Sequence, residues 1–324
     1  MGEAFAGKTV GKKAMLWGIL AQSIPDVDFV ASFWLKTSDN LLAHRGITHS
    51  FLFALLITPI IAKFAYNLHK PHNISLKRWN LFIGSVIFIH LFLDAFNNYG
   101  VGWLEPFSHV RISFNTIYVA DPFFSIIPGI ALIMLLLIKQ KSTDRKWIWK
   151  TALIIPFLYL LYSLVNKFYV TVETEKMLAA QNIHYNKLLI TPAPLQTWLW
   201  FIAAGNDSGF YTGYRSVFDK QQSQELHFKS QNNNLIHLVK EPDQLNKLMQ
   251  FSQGFYTIEK RKDSLVFYDL RFGQIIGWQN PLEDYAFYYY LQPDVDNTLV
   301  VQRGRFAKWD RQSFKSLLHR IKGN

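Results

Sequence analysis

Residues 50–68, 80–97, 122–138 and 147–168 are four apolar stretches, each close to the ~20 residues that carry a helix across a bilayer. No other feature narrows the fold as much, because backbone exposed to lipid must satisfy its own N–H and C=O groups and so has to be helical or closed into a barrel. A fifth apolar piece, 14–24, is too short to span and reads as a re-entrant or partial helix. Lys63 and Lys167 stand near stretch ends, where long side chains snorkel, and Trp79, Trp147 and Trp149 stand where an aromatic belt would. Buried core helices of a soluble protein are the competing reading, but 50% hydrophobic and 16% aromatic content is rich for that class.

The loops give an orientation. If the four stretches alternate, Lys70, Lys77 and Arg78 share a side with Lys139, Lys141, Arg145 and Lys146, and the connection 98–121, with Arg111 alone, lies opposite. The lysine-rich side is expected to be cytoplasmic. Up to residue 168 the chain carries 16 Lys+Arg against 8 Asp+Glu, and 18 against 15 beyond it. Basic residues clustered between apolar segments fit membrane loops better than a nucleic-acid face, so no nucleic-acid partner is expected. No cleavable signal peptide is visible in the first 18 residues. From about Thr171 the pattern changes to short aromatic, partly alternating runs such as "TWLWFIAA", "GFYTGYRSVF" and "SLVFYDLRF", which read as antiparallel strands, with amphipathic helices near 242–251 and 310–322. The expected fold is an α-helical membrane domain over 1–170, with about four transmembrane helices and the partial one, followed by a small soluble α+β domain over 171–324.

Three clusters put ionisable groups where apolar ones belong. In "SIPDVDF", Pro25 stops the preceding helix, and Asp26 and Asp28 on an extended turn can face one centre, although turn and capping uses of aspartate are common. In "HRGITHS", His44 and His49 would stand about 140° apart on a regular helix. Gly46 permits a turn and Thr48 an N-cap, so His44 in the loop and His49 on the first helical turn can converge. In "IHLFLDAFNNYG", His90, Asp94 and Asn97 fall at i, i+4 and i+7, within about 40° of His90 on a helix face. Such residues inside a span point to function by default, with a plain His–Asp hydrogen bond as the alternative.

All three clusters fall at one bilayer face under this topology. The chain has no cysteine, so a metal would be held by nitrogen and oxygen alone. Asp26, Asp28, His44, His49, His90 and Asp94 suit Zn²⁺, with Mn²⁺ or Fe²⁺ possible, as one ion or two. Two ions would suit phosphoester hydrolysis. Arg45 would then clamp the anion, or else meet lipid headgroups. Glu105, His109 and Arg111 lie in the following loop, and Asp121 before Pro122 is an N-cap or a base.

"PDVD", "HRGITHS", "HLFLDAFNNYG", "PFSHVRIS" and "VADPFF", in this order over roughly residues 2–125, resemble a family of bacterial inner-membrane metal-dependent hydrolases of the LexA-regulated type. "PAPLQTWLWFIAAGNDSGFYTGYRS" and "FYDLRFG" resemble its long form, which adds a C-terminal domain. The resemblance implies a multi-pass inner-membrane hydrolase with the aspartates and histidines above as metal ligands. A more distant similarity to zinc-dependent phospholipase C implies a phospholipid or other phosphoester substrate. Family members usually carry an apolar helix ahead of "GEAFAGKTVGKKAMLWG", where this chain has Met1, so any ligand on that helix is expected to be missing here.

Two functions therefore compete: a membrane-bound hydrolase working through metal-activated water, with site and C-terminal domain on the extracytoplasmic side, and a non-catalytic membrane protein whose His/Asp stripe senses or conducts an ion or fixes helix packing.

Overall fold

The chain opens with two short helices, α1 (Gly2–Val10) and α2 (Lys13–Ser23), reversed at Gly11, whose φ of +66° suits glycine. They lie against each other closely enough that a Cβ on Gly2 would come within 2.2 Å of the Ala14 carbonyl oxygen. This computed structural model describes residues 1–70, 74–220, 225–292, 297 and 308–323. By contacts it divides into two units, one of residues 1–35, 42–114 and 120–161, the other of 36–41, 115–119 and 162–324.

In the first unit α2 gives way to a 3-10 helix, Pro25–Phe33, because Pro25 cannot donate to the preceding turn. After α3 (Thr37–Ala43) the chain turns through Arg45 in left-handed conformation, φ +57°, and a single 3-10 turn, Ile47–His49. Then come α4 (Phe51–Leu68) and α5 (Leu76–Asp94), each opened by a serine, Ser50 accepting from Phe53 N–H at 3.1 Å and Ser75 from Arg78 N–H at 3.3 Å. Thr48, expected to cap, turns its hydroxyl elsewhere. Small residues Ala14, Ala21, Ala62 and Ala65 let α2, α4 and α5 approach, with Ile83, Ile87 and Leu91 filling the gaps. Trp17 donates to His69 across this interior at 2.8 Å.

Outward, α4 shows Leu55, 73% exposed, and Phe64, 61% exposed, an apolar face of the kind that meets lipid. α6 (Pro122–Leu137) and α7 (Asp144–Ala180) follow. Among the described residues three helices, α4, α5 and α7, are long and apolar enough to cross a membrane. The fourth expected span, α6, is apolar but shorter, 16 residues or about 24 Å against a hydrocarbon core of about 30 Å. α7 also runs well past residue 168, because "TVETEKMLAA" is rich in helix formers.

The second unit holds two antiparallel sheets. The first runs β1 (Lys187–Pro192), β2 (Leu199–Gly205), β3 (Gly209–Ser216), β4 (His227–Ser230) in that order, with Ile202 opposite Gly213. The second runs β5 (Tyr256–Arg261), β6 (Ser264–Gln274), β7 (Tyr285–Tyr290). Phe201, Phe210, Tyr268, Leu270 and Tyr285 form its core. α8 (Pro242–Phe251) buries Leu245, Leu248 and Phe251, and α9 (Arg311–Ile321) buries Leu317 behind an Asp310–Ser313 capping box. The helical part followed by a small two-sheet domain agrees with the expected fold class.

Candidate metal centre

Four ligand atoms from three separate segments meet at the end of α5. Asp26 comes from the first turn after α2, His49 from the turn before α4, and His90 and Asp94 from successive turns of α5. His49 Nε2 lies 3.2 Å from His90 Nε2, 3.4 Å from Asp26 Oδ1 and 3.3 Å from Asp94 Oδ2. His90 Nε2 lies 3.5 Å from each of the same two oxygens. All four atoms fall within 4.8 Å of one another.

These separations fit a divalent ion. A tetrahedral site with bonds of 2.0–2.2 Å has edges of about 3.3–3.6 Å, and the five edges above span 3.2–3.5 Å. Two imidazole nitrogens face each other, an arrangement that wants a cation or a proton between them. Three carboxylates, Asp26, Asp28 and Asp94, stand against one guanidinium, Arg45, so with neutral imidazoles the group carries two excess negative charges that a divalent cation cancels. His49 and His90 are buried, Asp94 is partly buried and Asp26 is half exposed, which makes Asp26 the open side.

Behind the four sits a supporting layer. Asp28 Oδ2 accepts from Arg45 N–H at 2.7 Å and from Thr48 Oγ1 at 3.3 Å, and lies 3.4 Å from His49 Nδ1. A carboxylate at Nδ1 holds the proton there and leaves the Nε2 lone pair for a ligand. Burial alone would lower the His49 pKa, but Asp26, Asp28 and Asp94 outweigh it and push it up to about 10. Burial likewise opposes ionisation of Asp26 and Asp28, yet hydrogen bonds from His49 and His90 to Asp26, and from His44 and His49 to Asp28, hold both below the usual carboxylate range.

Of the six expected ligands the structure brings four together and sets two apart. Asp26 and Asp28 occupy a 3-10 helix, not an extended turn, and at three residues per turn they point about 120° apart, one to each nitrogen of His49. His44 bonds the far oxygen of Asp28 at 3.2 Å. Asn97 lies beyond the end of α5 and accepts from Tyr99 N–H at 3.0 Å, so the expected i+7 face does not form. Asp121 is the N-cap of α6, accepting from Phe123 N–H at 2.9 Å, Phe124 N–H at 3.3 Å and the Tyr159 hydroxyl at 2.8 Å, and is not one of the four.

Arg45 does reach the centre. Its Nε is 3.1 Å from Asp94 Oδ2, its guanidinium stacks over Tyr99, and its Nε and Nη1 are buried without a hydrogen bond among the described residues. In the loop, Glu105 pairs with the exposed His109 at 2.9 Å, while Arg111 donates to the carbonyls of Leu42 at 2.7 Å and His44 at 2.6 Å, and so fixes the turn that carries Arg45. Sequence reasoning missed Gln22, whose side-chain amide meets His90 Nδ1 at 3.0 Å. The amide nitrogen faces Nδ1; with the amide turned over, so that its oxygen accepts from Nδ1–H, Gln22 would do for His90 what Asp28 does for His49. A glutamine closing the otherwise apolar "LWGILAQ" was the available signal.

The sequence profile of the YdjM inner membrane protein family matches residues 1–170, the part that holds all of these side chains. The chain belongs to the YdjM family. It is similar to the uncharacterized protein YfhP of Bacillus subtilis (strain 168), 26% identical over 278 residues that cover 80% of this chain and 77% of that protein. It is also similar to the inner membrane protein YbcI of Escherichia coli (strain K12), 29% identical over 113 residues, 34% of this chain and 64% of that one. No solved structure matches it. Family and apolar helices together make it a membrane protein. The hydrolase type implied by the sequence resemblance is carried by neither relative's name.

Proposed function

We propose that the chain is a metal-dependent hydrolase of the inner membrane, with Asp26, His49, His90 and Asp94 as ligands and a phosphoester such as a phospholipid as substrate. The observation that carries it is the convergence of two imidazole nitrogens and two carboxylate oxygens at near-tetrahedral separations beside a buried arginine. Zinc fits best, since the donors are nitrogen and oxygen and five of the six edges match four-coordination, with manganese or iron as alternatives. A divalent ion held there supplies Lewis acidity and lowers the pKa of water toward neutrality.

The chain's own groups have definite tasks. Asp28 and Gln22 hold the two rings with Nε2 inward. Arg45 keeps unpaired donors beside Asp94, placed to hold a phosphate oxygen as charge builds on it. Half-exposed Asp26 marks the side from which substrate and water arrive. Lysine placement favours an extracytoplasmic site, with the C-terminal domain on the same side.

Elemental analysis of purified protein is expected to show near-stoichiometric transition metal, and a panel of phospholipids and generic phosphodiesters to reveal turnover. His90→Ala and Asp94→Ala should lose both. Bound metal with no turnover across the panel would remove the hydrolase and leave ion sensing or passage; absence of metal would remove both. Because the chain has no cysteine, Val110→Cys, at an exposed position of the same connection, reports sidedness by labelling with a membrane-impermeant maleimide in intact cells.

A further inference from the structure

At the other end of α5, a second polar site stands open. The ends of α1, α5 and α7 and the connection between α6 and α7 enclose a cavity of about 530 Å³. Lys8, Arg78, Lys141 and Lys146 line it. Its one carboxylate, Glu3, is already engaged: Arg145, 3% exposed, donates to both of its oxygens at 2.8 and 2.6 Å. Asp144, next in the chain, accepts from the Ser142 hydroxyl at 3.0 Å and is not in the wall. None of the four lining cations has an ion-pair partner among the described residues. Four like charges, all exposed, around one hollow raise a positive potential that draws an anion into it.

The hollow continues into an apolar one. A cavity of about 340 Å³ shares Glu3 and Trp149 with the first and runs between α2, α5, α6 and α7, past Ile19, Val86, Ala131 and Leu153. Val86 lies eight residues beyond Arg78 on α5, so this groove reaches about 12 Å toward the middle of a spanning helix. A basic chamber at the helix ends, opening into an apolar slot at membrane depth, has the division of a lipid.

We propose that these joined cavities bind an anionic membrane lipid, its phosphate among Lys8, Arg78, Lys141 and Lys146 and an acyl chain in the groove lined by Val86 and Leu153. The basic chamber is distinct from the candidate metal centre: His90 is twelve residues from Arg78 on the same helix, about 18 Å away, so the headgroup held here belongs to the opposite leaflet, while the apolar groove runs on to Gln22, the residue that meets His90. It stands whether or not the metal reading does.

Native mass spectrometry of the full chain in neutral detergent tests it, with phosphatidylglycerol added against phosphatidylcholine. Phosphatidylglycerol should be retained selectively. K8Q/K141Q/K146Q should weaken that retention about a hundredfold, and K141Q alone about fivefold, given the pull of each cation near an anionic surface. Ala152→Phe, which narrows the apolar slot, should weaken it while leaving selectivity for charge unchanged. The thermal melt of each variant shows that the fold is kept; if the triple variant unfolds, K141Q decides. Equal retention of both lipids, or unchanged retention in K141Q, overturns the proposal. Saturable binding of inorganic phosphate without lipid retention overturns it too, in favour of a soluble anion.

Discussion

Each unit sets an aspartate beside a buried arginine, Asp94 by Arg45 and Asp269 by Arg271, and these two pairs are built to different ends. In the second unit Arg271 lies against Asp269 as a closed fork, Nε at 3.0 Å from one carboxylate oxygen and Nη2 at 2.6 Å from the other, with the Arg271 N–H adding a third bond at 3.0 Å. Both side chains are essentially unexposed. In the first unit Arg45 and Asp94 come as near, 3.1 Å, but do not align, and Arg45 Nε, Arg45 Nη1 and Asp94 Oδ2 stay without hydrogen bonds among the described residues. A buried charge that its neighbours satisfy is architecture. One that keeps idle donors and acceptors around two facing imidazoles is poised for a ligand.

Substitution should separate the two most sharply at the metal centre. His49→Ala is expected to abolish metal content by elemental analysis, whereas Asp269→Leu with Arg271→Met should leave metal content unchanged and stability near neutral, because an apolar pair can replace a satisfied ion pair. Breaking that pair is different: Arg271→Met alone strands a buried carboxylate and should cost about 3–5 kcal/mol, read as a lower melting temperature with metal content intact. Loss of metal in Arg271→Met would mean that the two clusters are coupled.

Smaller changes probe the layer behind the ligands. Asp28→Asn should weaken metal affinity by about 10–100-fold in a competition titration, since His49 loses the carboxylate that orients it. Without metal His49 keeps its proton up to about pH 10, and a ligand ring must be neutral, so metal binding should release that proton at neutral pH. Apparent affinity should then climb about tenfold per pH unit between pH 6 and 9, and a flat profile would contradict the carboxylate cage around His49. Gln22→Leu should show the mildest loss, about tenfold or less, because an amide is a weaker partner for His90 than a carboxylate is for His49.

Much of the site was legible because polar residues inside apolar runs are conspicuous. His90 and Asp94 stand one turn apart on a span, so α5 alone aligns them. Asp26 and His49 could be nominated but not aimed. Their directions depend on two 3-10 segments, Pro25–Phe33 and Ile47–His49, and on the left-handed Arg45, none of which leaves a periodic signature. The same turns move Asp28 and His44 out of the ligand set. Gln22 was hidden because a single amide at a helix end has many uses. Asp121 keeps the N-cap role that Asp before Pro at a helix start announces.

By itself the sequence determined the class of environment, the helices and the types of donor: apolar run length, the lack of cysteine and charged residues inside spans are local facts that no packing can alter. Tertiary structure alone decided which four of the six candidate side chains share a centre, and which pair is closed and which open. Ligand geometry is a matter of tenths of an ångström between segments up to 68 residues apart, as from Gln22 to His90, and that is set by how α2, α4 and α5 pack rather than by any stretch of chain.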